Sequence, residues 1–395
     1  MSAPPTDPAR NPATDPAIDP AADPADPRTP RSGVRRHAVV HQLRVARVDP
    51  LTDDAVAVTF EVPPELAEDY RFVPGQHLNV STPRAGDDLR RSYSICSPWS
   101  PLPPARLRIG VKRVAGGGFS SYALTDLAAG DEVGVMTPTG RFTVVLDPVA
   151  ARHLAFVAAG SGITPILSMV AGVLAVEPAS RVTLLYGNRT SASVMFVEEL
   201  ADLKDRYPDR FHLVHVLSRE LPEIALLGGR LDAAKLGGFL DTLLPVESVE
   251  QWYLCGPLAM VEEIRALLRE RGVPRTRVHT ELFHVGAPVE TAPVAVPPSE
   301  TAAGCEVEVV MDGRRSSFRL PTPGPTVLEG VLGVRGDAPF ACRGGVCGTC
   351  RARVVEGDVR MDRCYALEPE EVARGYVLTC QAHPTSDRLV VDYDA

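Results

Sequence analysis

No apolar run in this 395-residue chain approaches the eighteen or so residues that a membrane-spanning helix requires, which leaves no place for a helical anchor. Cysteine is sparse, with eight in all. Four of them, Cys96, Cys255, Cys305 and Cys364, are scattered without framework spacing. That excludes a disulfide-stapled module and suits a reducing, cytoplasmic compartment. Positive charge is in deficit: 41 Lys and Arg against 50 Asp and Glu give a net charge of −9, which argues against nonspecific nucleic-acid binding. No Cys-x-His pair occurs anywhere, so Rieske-type ligation is excluded.

Aromatic side chains are also absent before residue 37, where Asp-Pro-Ala recurs at 7–9, 15–17, 19–21 and 23–25. Proline breaks helix and sheet alike. Residues 1–36 therefore read as a disordered Pro/Ala/Asp-rich tail. The segment has neither the positive start nor the apolar core of a signal peptide.

What is present is concentrated near the far end. Cys342, Cys347, Cys350 and Cys380 are separated by four, two and twenty-nine residues. This is the C-x4-C-x2-C…C spacing of plant-type 2Fe–2S proteins, and it implies a one-electron carrier. Gly344, Gly345 and Gly348 lie between the ligands. They allow the backbone to wrap closely and to turn its N–H groups toward sulfur. A structural zinc site would sooner use paired C-x2-C knuckles or Cys/His mixtures.

The rest divides by texture. Residues 37–147 show short alternating strands, such as Ala55–Val62 and Leu107–Val111, between Gly/Pro turns, as in a small antiparallel barrel. Residues 148–283 alternate apolar strands (His153–Ala159, Arg181–Tyr186, Phe211–Leu217, Gln251–Cys255, Arg277–Phe283) with helical stretches at 165–176, 196–206 and 257–271. That pattern predicts a parallel sheet with crossover helices. Residues 284–304 have the composition of an extended linker. Residues 305–395 open on a hairpin around Met311-Asp312-Gly313 and contain the cysteine quartet.

Two sets of residues suit nucleotide cofactors. In Arg91-Ser92-Tyr93-Ser94 an arginine can pair with pyrophosphate, a tyrosine ring can lie against an isoalloxazine, and a serine hydroxyl can reach flavin N5. Gly118, Phe119 and Ser120 stand at an expected helix start, a natural anion site, although three glycines also make a plain turn. Gly160-Ser161-Gly162-Ile163-Thr164-Pro165 follows a strand and opens a helix, with Thr164 expected as the N-cap and Pro165 as the first helical residue. Arg189 follows the second strand, and Ser218-Arg219 follow the third. No acid follows the second strand, and cationic forks suit a 2′-phosphate, which favours NADPH while leaving NADH possible. Surface arginines would read the same way. Cys255-Gly256-Pro257 ends the fourth strand at the ligand crevice of an open α/β sheet, where a lone buried cysteine is otherwise a small apolar residue.

Taken in order, these motifs resemble the ferredoxin–NADP reductase superfamily, in the branch with a C-terminal plant-type ferredoxin domain. Phe72–Leu78 (FVPGQHL), Leu89–Ser97 (LRRSYSICS), Val111–Ser120 (VKRVAGGGFS), Tyr186–Leu200 (YGNRTSASVMFVEEL) and Leu217–Glu220 (LSRE) look like the reductase subunits of phenylacetyl-CoA epoxidases. The resemblance covers about 37 to 395. It implies a FAD-binding barrel, an NAD(P)-binding α/β domain and an α+β β-grasp ferredoxin domain. Arg91, Tyr93, Ser94, Gly118, Phe119 and Ser120 would bind FAD. Gly160, Gly162, Thr164, Arg189, Ser218, Arg219, Gly256 and Pro257 would bind the nicotinamide nucleotide. Ser94 and Cys255 would flank the reacting atoms, and Phe283 would border the flavin. His77, in the PGQH stretch, reads as a barrel-strand residue. Ala115 stands where relatives often carry proline.

The resemblance further implies an NAD(P)H-dependent oxidoreductase that feeds electrons through FAD and a 2Fe–2S cluster to a diiron oxygenase, with no nucleic-acid or membrane partner. A reductase for another oxygenase, such as a steroid or alkane hydroxylase, would look nearly the same. A non-enzymatic carrier with a degenerate nucleotide domain would need the flavin and nucleotide motifs to be idle.

Overall fold

The computed structural model describes residues 39–82, 89–284 and 304–395. The expected tail at 1–36 and nearly all of the expected linker at 284–304 lie outside them. Among the described residues, no helix is long and apolar enough to cross a membrane.

The first domain is built from β1 (Val40–Thr52), β2 (Ala55–Glu61), β3 (His77–Thr82), β4 (Leu89–Ser94), β5 (Arg106–Lys112), α1 (Gly118–Thr125) and β6 (Glu132–Met136). The strands are antiparallel in the order β4-β3-β6-β1-β2-β5. A bridge between Ile95 and Ile109 joins the two edges, so the sheet closes on itself. Leu43, Val58, Phe60, Leu78, Ile109 and Phe119 fill the interior, each 0–1% exposed. Burying such side chains out of water is what drives the closure.

The second domain runs β7 (His153–Ala159), α2 (Ile163–Val176), β8 (Arg181–Asn188), α3 (Val197–Arg206), β9 (Phe211–Leu217), α4 (Ala233–Thr242), β10 (Gln251–Pro257), α5 (Leu258–Glu270) and β11 (Val278–His284). All its strand pairs are parallel, in the order β11-β10-β7-β8-β9. The order reverses between β7 and β10, and that switch point opens a crevice at the carboxyl ends of the two strands. Helix α4 is not visible in the periodicity, because Gly237 and Gly238 dilute its propensity. Tertiary burial of Leu236, Phe239 and Leu240 and an Asp232 cap on the Lys235 N–H make it a helix. Glu177 is fully buried in the crossover from α2 to β8. Arg152 pairs with it at 2.6 Å and the Ser180 hydroxyl donates to it at 2.7 Å.

The third domain runs β12 (Gly304–Met311), β13 (Arg314–Pro321), α6 (Val327–Val334), β14 (Arg351–Glu356), β15 (Val359–Met361), α7 (Pro369–Ala373), β16 (Tyr376–Leu378), β17 (Ala382–Pro384) and β18 (Arg388–Asp392). Its main sheet, β13-β12-β18-β14-β16, is mixed, with β12 and β18 parallel at the centre. Helix α6, started by a Thr326/Glu329 capping box, packs Val327, Leu328 and Val331 against it, which gives a β-grasp. The expected hairpin turn falls at Asp312 and Gly313, both at positive φ (55° and 66°), as a two-residue primed turn requires. Both turn amides donate to the Asp394 carboxylate at 2.9 Å.

Candidate functional site

The cluster loop gets its shape from backbone conformation. Arg343, Gly345 and Gly348 all take positive φ (50°, 77° and 67°), which coils residues 342–350 so that amides face inward. The Gly344 N–H donates to Cys342 Sγ at 3.4 Å, and the Val346 amide reaches the same sulfur. The Gly345 amide reaches Cys380. Gln381 Nε2 donates to the Arg343 carbonyl at 2.8 Å and ties the distant cysteine's strand to the loop.

The four thiols form two pairs, Cys342 with Cys347 and Cys350 with Cys380. A hydrogen bond from Cys347 lowers the Cys342 thiol to about 6, and Cys347 is raised in return. Among the described residues, no three His, Cys, Asp or Glu side chains converge on a single metal ion. Two thiolates apiece for two irons, with amides directed at sulfur, is a donor set that fits a 2Fe–2S cluster. It fits a tetrahedral zinc poorly.

On the barrel, β4 carries the flavin motif. Arg91 is exposed, Tyr93 is half-buried with its ring 5.4 Å from Phe119, and Ser94 is buried. Phe119 belongs to the barrel core rather than to a ligand surface. The Ser120 hydroxyl is engaged within its own turn, accepting from the Val114 N–H at 3.1 Å and donating to the Gly117 carbonyl at 3.3 Å. Within this turn the backbone amides around Gly118, rather than the Ser120 hydroxyl, are left to meet an anion.

Ser94 Oγ donates to Glu281 Oε2 at 3.3 Å. Glu281, on β11, is a residue of this crevice that sequence reasoning passed over. Burial pushes its carboxyl up to about 8, the Ser94 hydrogen bond opposes the shift, and charge on Cys347 adds to it. The one available signal was an acid inside an otherwise apolar strand end, Glu281-Leu282-Phe283. Phe283 packs, partly buried, against the core shared by the first two domains.

At the switch point, Gly160 takes φ +54°, and Gly160–Gly162 form a single 3-10 turn before α2. A Cβ on Gly162 would lie 2.2 Å from the Cys255 carbonyl, so only glycine lets the ends of β7 and β10 approach this closely. Thr164 is not the N-cap. The helix begins at Ile163, with Gly162 in the cap position, and the Thr164 hydroxyl turns back to the Ser161 carbonyl at 3.0 Å. Pro165 consequently sits at the third helical position. The 3-10 turn supplies the geometry that a side-chain cap would otherwise provide. Cys255 is buried beside this turn, and burial, then the Glu281 charge, hold its thiol well above the usual range. Gly256 gives way to the Met260 methyl, which a Cβ would meet at 2.5 Å, and exposed Pro257 takes the cap position of α5.

Arg189, Ser218 and Arg219 stand exposed at the carboxyl ends of β8 and β9. The Arg219 N–H donates to the Arg189 carbonyl at 2.8 Å, which holds the two arginines side by side. No acid follows β8 in the sequence, yet one reaches it in space. Glu220 Oε1 accepts from the Ser191 N–H at 2.6 Å and from its hydroxyl at 2.9 Å. Asp54, in the β1–β2 turn, also lies within the field of Arg189. Burial would raise its carboxyl, but hydrogen bonds from Lys112 and Thr52 and the Lys112 and Arg189 charges bring it below the usual range.

Ser94, Glu281, Cys255 and the Cys347 loop thus converge, while the arginine pair stands two strands away. Asn79 Nδ2 donates to Thr349 Oγ1 at 3.2 Å, and Arg90 lies 4.3 Å over the Phe340 ring, so the cluster loop rests on the barrel.

Comparison with known proteins agrees with this architecture. Residues 42–144 match the oxidoreductase FAD-binding domain, 156–266 the oxidoreductase NAD-binding domain, and 309–385 the 2Fe-2S iron-sulfur cluster binding domain. The chain is 42% identical to a 1,2-phenylacetyl-CoA epoxidase subunit from Escherichia coli (strain K12), over 90% of this chain and 98% of that protein. It is 35% identical to the ferredoxin reductase component of 3-ketosteroid-9-alpha-monooxygenase from Rhodococcus rhodochrous, over 89% and 96%. The solved structure of phthalate dioxygenase reductase shares the fold, with a TM-score of 0.55 at 24% identity, over 89% of this chain and 98% of that one. The chain belongs to the ferredoxin–NADP reductase superfamily, among the oxygenase reductase components that carry a C-terminal 2Fe–2S domain. It is an oxidoreductase that uses FAD, NAD(P)H and a 2Fe–2S cluster.

Proposed function

We propose that this protein takes reducing equivalents from NADPH and delivers them, through FAD and the 2Fe–2S cluster, to the diiron oxygenase of a phenylacetyl-CoA epoxidase. The observation that carries the electron path is the convergence of Ser94, Glu281 and Cys255 with the Cys347 loop at one crevice. The choice of acceptor is supported by the 42% identity over 98% of the Escherichia coli epoxidase protein. When bound, the nicotinamide supplies a hydride, the flavin turns the electron pair into single electrons, and the cluster carries them one at a time.

The chain's own residues supply position and protons. Arg91 and the amides around Gly118 hold the FAD phosphates, and Tyr93 lies against the ring system. Gly160, Gly162 and Gly256 clear room for the dinucleotide, and Arg189, Ser218 and Arg219 grip its 2′-phosphate. Cys255 offers a small neutral wall that a nicotinamide can approach. With a carboxyl raised to about 8, Glu281 keeps a proton at neutral pH and can exchange it through the Ser94 hydroxyl. Cys342, Cys347, Cys350 and Cys380 ligate the irons.

Reconstitution tests the acceptor. Mixed with purified epoxidase oxygenase subunits and phenylacetyl-CoA, the protein should consume about one NADPH per product formed, the ratio set by a two-electron reduction. It should not support a 3-ketosteroid hydroxylase. Equal turnover with both would leave only a general oxygenase reductase, a reading favoured by the 35% identity to the ketosteroid component.

A further inference from the structure

One side chain in the barrel points across the domain boundary at the cluster loop, and the motifs assign it no role. Asn79, on β3, is only 3% exposed. Its three hydrogen-bond contacts leave little freedom. Ser92 Oγ donates to Asn79 Oδ1 at 2.6 Å. Asn79 Nδ2 faces the Met136 thioether at 3.3 Å and Thr349 Oγ1 at 3.2 Å. A thioether sulfur has no proton to give, so the edge of the amide that faces Met136 must be the NH2 edge. That fixes Oδ1 toward Ser92 and Nδ2 toward Thr349.

The hydroxyl of Thr349 has a single proton. Because it accepts from Asn79, that proton is free to point elsewhere, and the Cys347 sulfur, two residues back, lies within its reach. A chain of donors therefore runs from Ser92, inside the flavin motif, through Asn79 and Thr349 to a cluster ligand. Hydrogen bonds to cluster sulfurs stabilise the reduced, more negative cluster and raise its potential. Polar chains of this kind reinforce one another in a poorly solvated site.

We propose that Asn79 is a positioning residue for electron transfer. By holding the Thr349 proton on Cys347 while the cluster loop rests on the barrel, it makes the cluster a better acceptor at the place where it faces the flavin. Away from the barrel Thr349 loses this constraint, and the same cluster becomes the stronger reductant that an external acceptor needs. The inference rests on the reading that Cys347 is a cluster ligand.

The test uses the full-length protein with its cofactors in place. Iron and labile sulfide are measured first in every variant, and a normal content separates this question from the ligand assignment. Wild-type protein lacking iron and sulfide would remove the ligand assignment, and this inference with it. The midpoint potential and the electron paramagnetic resonance of the reduced cluster are then compared among wild type, Asn79→Ala, Thr349→Val, Thr349→Ser and the Asn79→Ala/Thr349→Val pair. Asn79→Ala and Thr349→Val should each shift the potential negative and change the g-values. Thr349→Ser, which keeps the hydroxyl, should restore the wild-type signature. The double variant should equal Thr349→Val alone, because the two residues act through one proton. Flavin-to-cluster transfer, followed by stopped flow, should slow severalfold in both single variants. An Asn79→Ala protein with unchanged potential and resonance, or additive effects in the double variant, would overturn the proposal. Should Asn79→Ala fail to fold, Asn79→Ser, too short to reach Thr349, is read in the same way.

Discussion

Arg189 and Arg219 are neighbours because one backbone bond, Arg219 N–H to the Arg189 carbonyl, extends the β8–β9 ladder past its last strand residues. Each arginine alone is an ordinary exposed side chain, and the sequence could not separate a phosphate fork from two solvated cations. The structure adds pairing, and it also adds Glu220 and Asp54 nearby, two acids that temper the positive field. The Arg189→Ala/Arg219→Ala protein should raise the Michaelis constant for NADPH by roughly tenfold or more, from the loss of charge-assisted contacts worth about 1.5–3 kcal/mol. The constant for NADH should move much less. Steady-state kinetics with an artificial dye acceptor checks this without the cluster, and equal effects on both nucleotides would refute the fork. His77 shows the same limit of sequence reading. It reads as a barrel-strand residue and is one, paired with Thr139 through backbone bonds of 2.8 and 3.0 Å. What could not be read is its burial. The ring lies against Gly140, whose absent Cβ would meet Nδ1 at 2.7 Å, and among the described residues Nε2 finds no hydrogen-bond partner. Burial pushes its pKa down to about 4 from an ordinary value near 6.5. Between these values the unfolded chain binds the extra proton, so the stability that the neutral ring secures is complete above pH 6.5 and falls as pH drops toward 4. The loss approaches about 3 kcal/mol in order of magnitude. Urea unfolding of the barrel at about pH 7 and about pH 5 should show a smaller difference for His77→Gln than for wild type.

At the scale of elements, the cluster loop was the most legible part, because its chemistry is local: four thiols, their spacing and three glycines lie within thirty-nine residues. The helix starts were less so. Thr164-Pro165 carries the residues of a helix entry, yet a 3-10 turn at Gly160–Gly162 moves the start upstream, since β7 and β10 must nearly touch there. Glu281 showed in the sequence only as an acid at an apolar strand end, with nothing to mark it as part of a site. Its chemistry depends on β4, β10, β11 and the cluster loop meeting, a tertiary fact with no sequence period. The loop's independence gives a clean expectation. Cys347→Ser should lose the visible absorption of the cluster while NADPH-driven dye reduction by the flavin persists, because the barrel and nucleotide domains have their own cores. Loss of both activities together would show that the cluster domain is needed to hold the flavin site in shape.

For the molecule as a whole, the question is what holds the cluster domain against the other two, and beyond the loop's own contacts with Asn79 and Arg90 the answer is ionic. Arg141, beyond β6, pairs with Glu371 on α7, and Arg275, before β11, pairs with Glu368 and, at 3.5 Å, with Glu370. Glu371 does not depend on Arg141. It also binds Arg351 at 3.1 Å and caps the Glu368 amide at 3.0 Å, so losing Arg141 would leave no bare buried charge. Arg275 and its two acids are each 43% or more exposed, in the range where an ion pair is worth about 0.2–1 kcal/mol and is screened by salt. Contacts of this size can bias docking without locking it, which suits a domain that must also meet an outside acceptor. Reversing one sign should tip the balance. Arg275→Glu places like charges opposite α7 and should slow flavin-to-cluster transfer severalfold at low salt. Added salt should narrow the gap between variant and wild type by screening the repulsion. Glu370→Arg, at the most exposed position of the three, should restore the rate when combined with Arg275→Glu. Stopped-flow reduction of the cluster by NADPH, with small-angle scattering to follow the overall dimensions, checks both effects. A swap that restores neither the rate nor the wild-type dimensions would mean that α7 is a bystander and that the barrel contacts of Thr349 and Phe340 hold the domain alone.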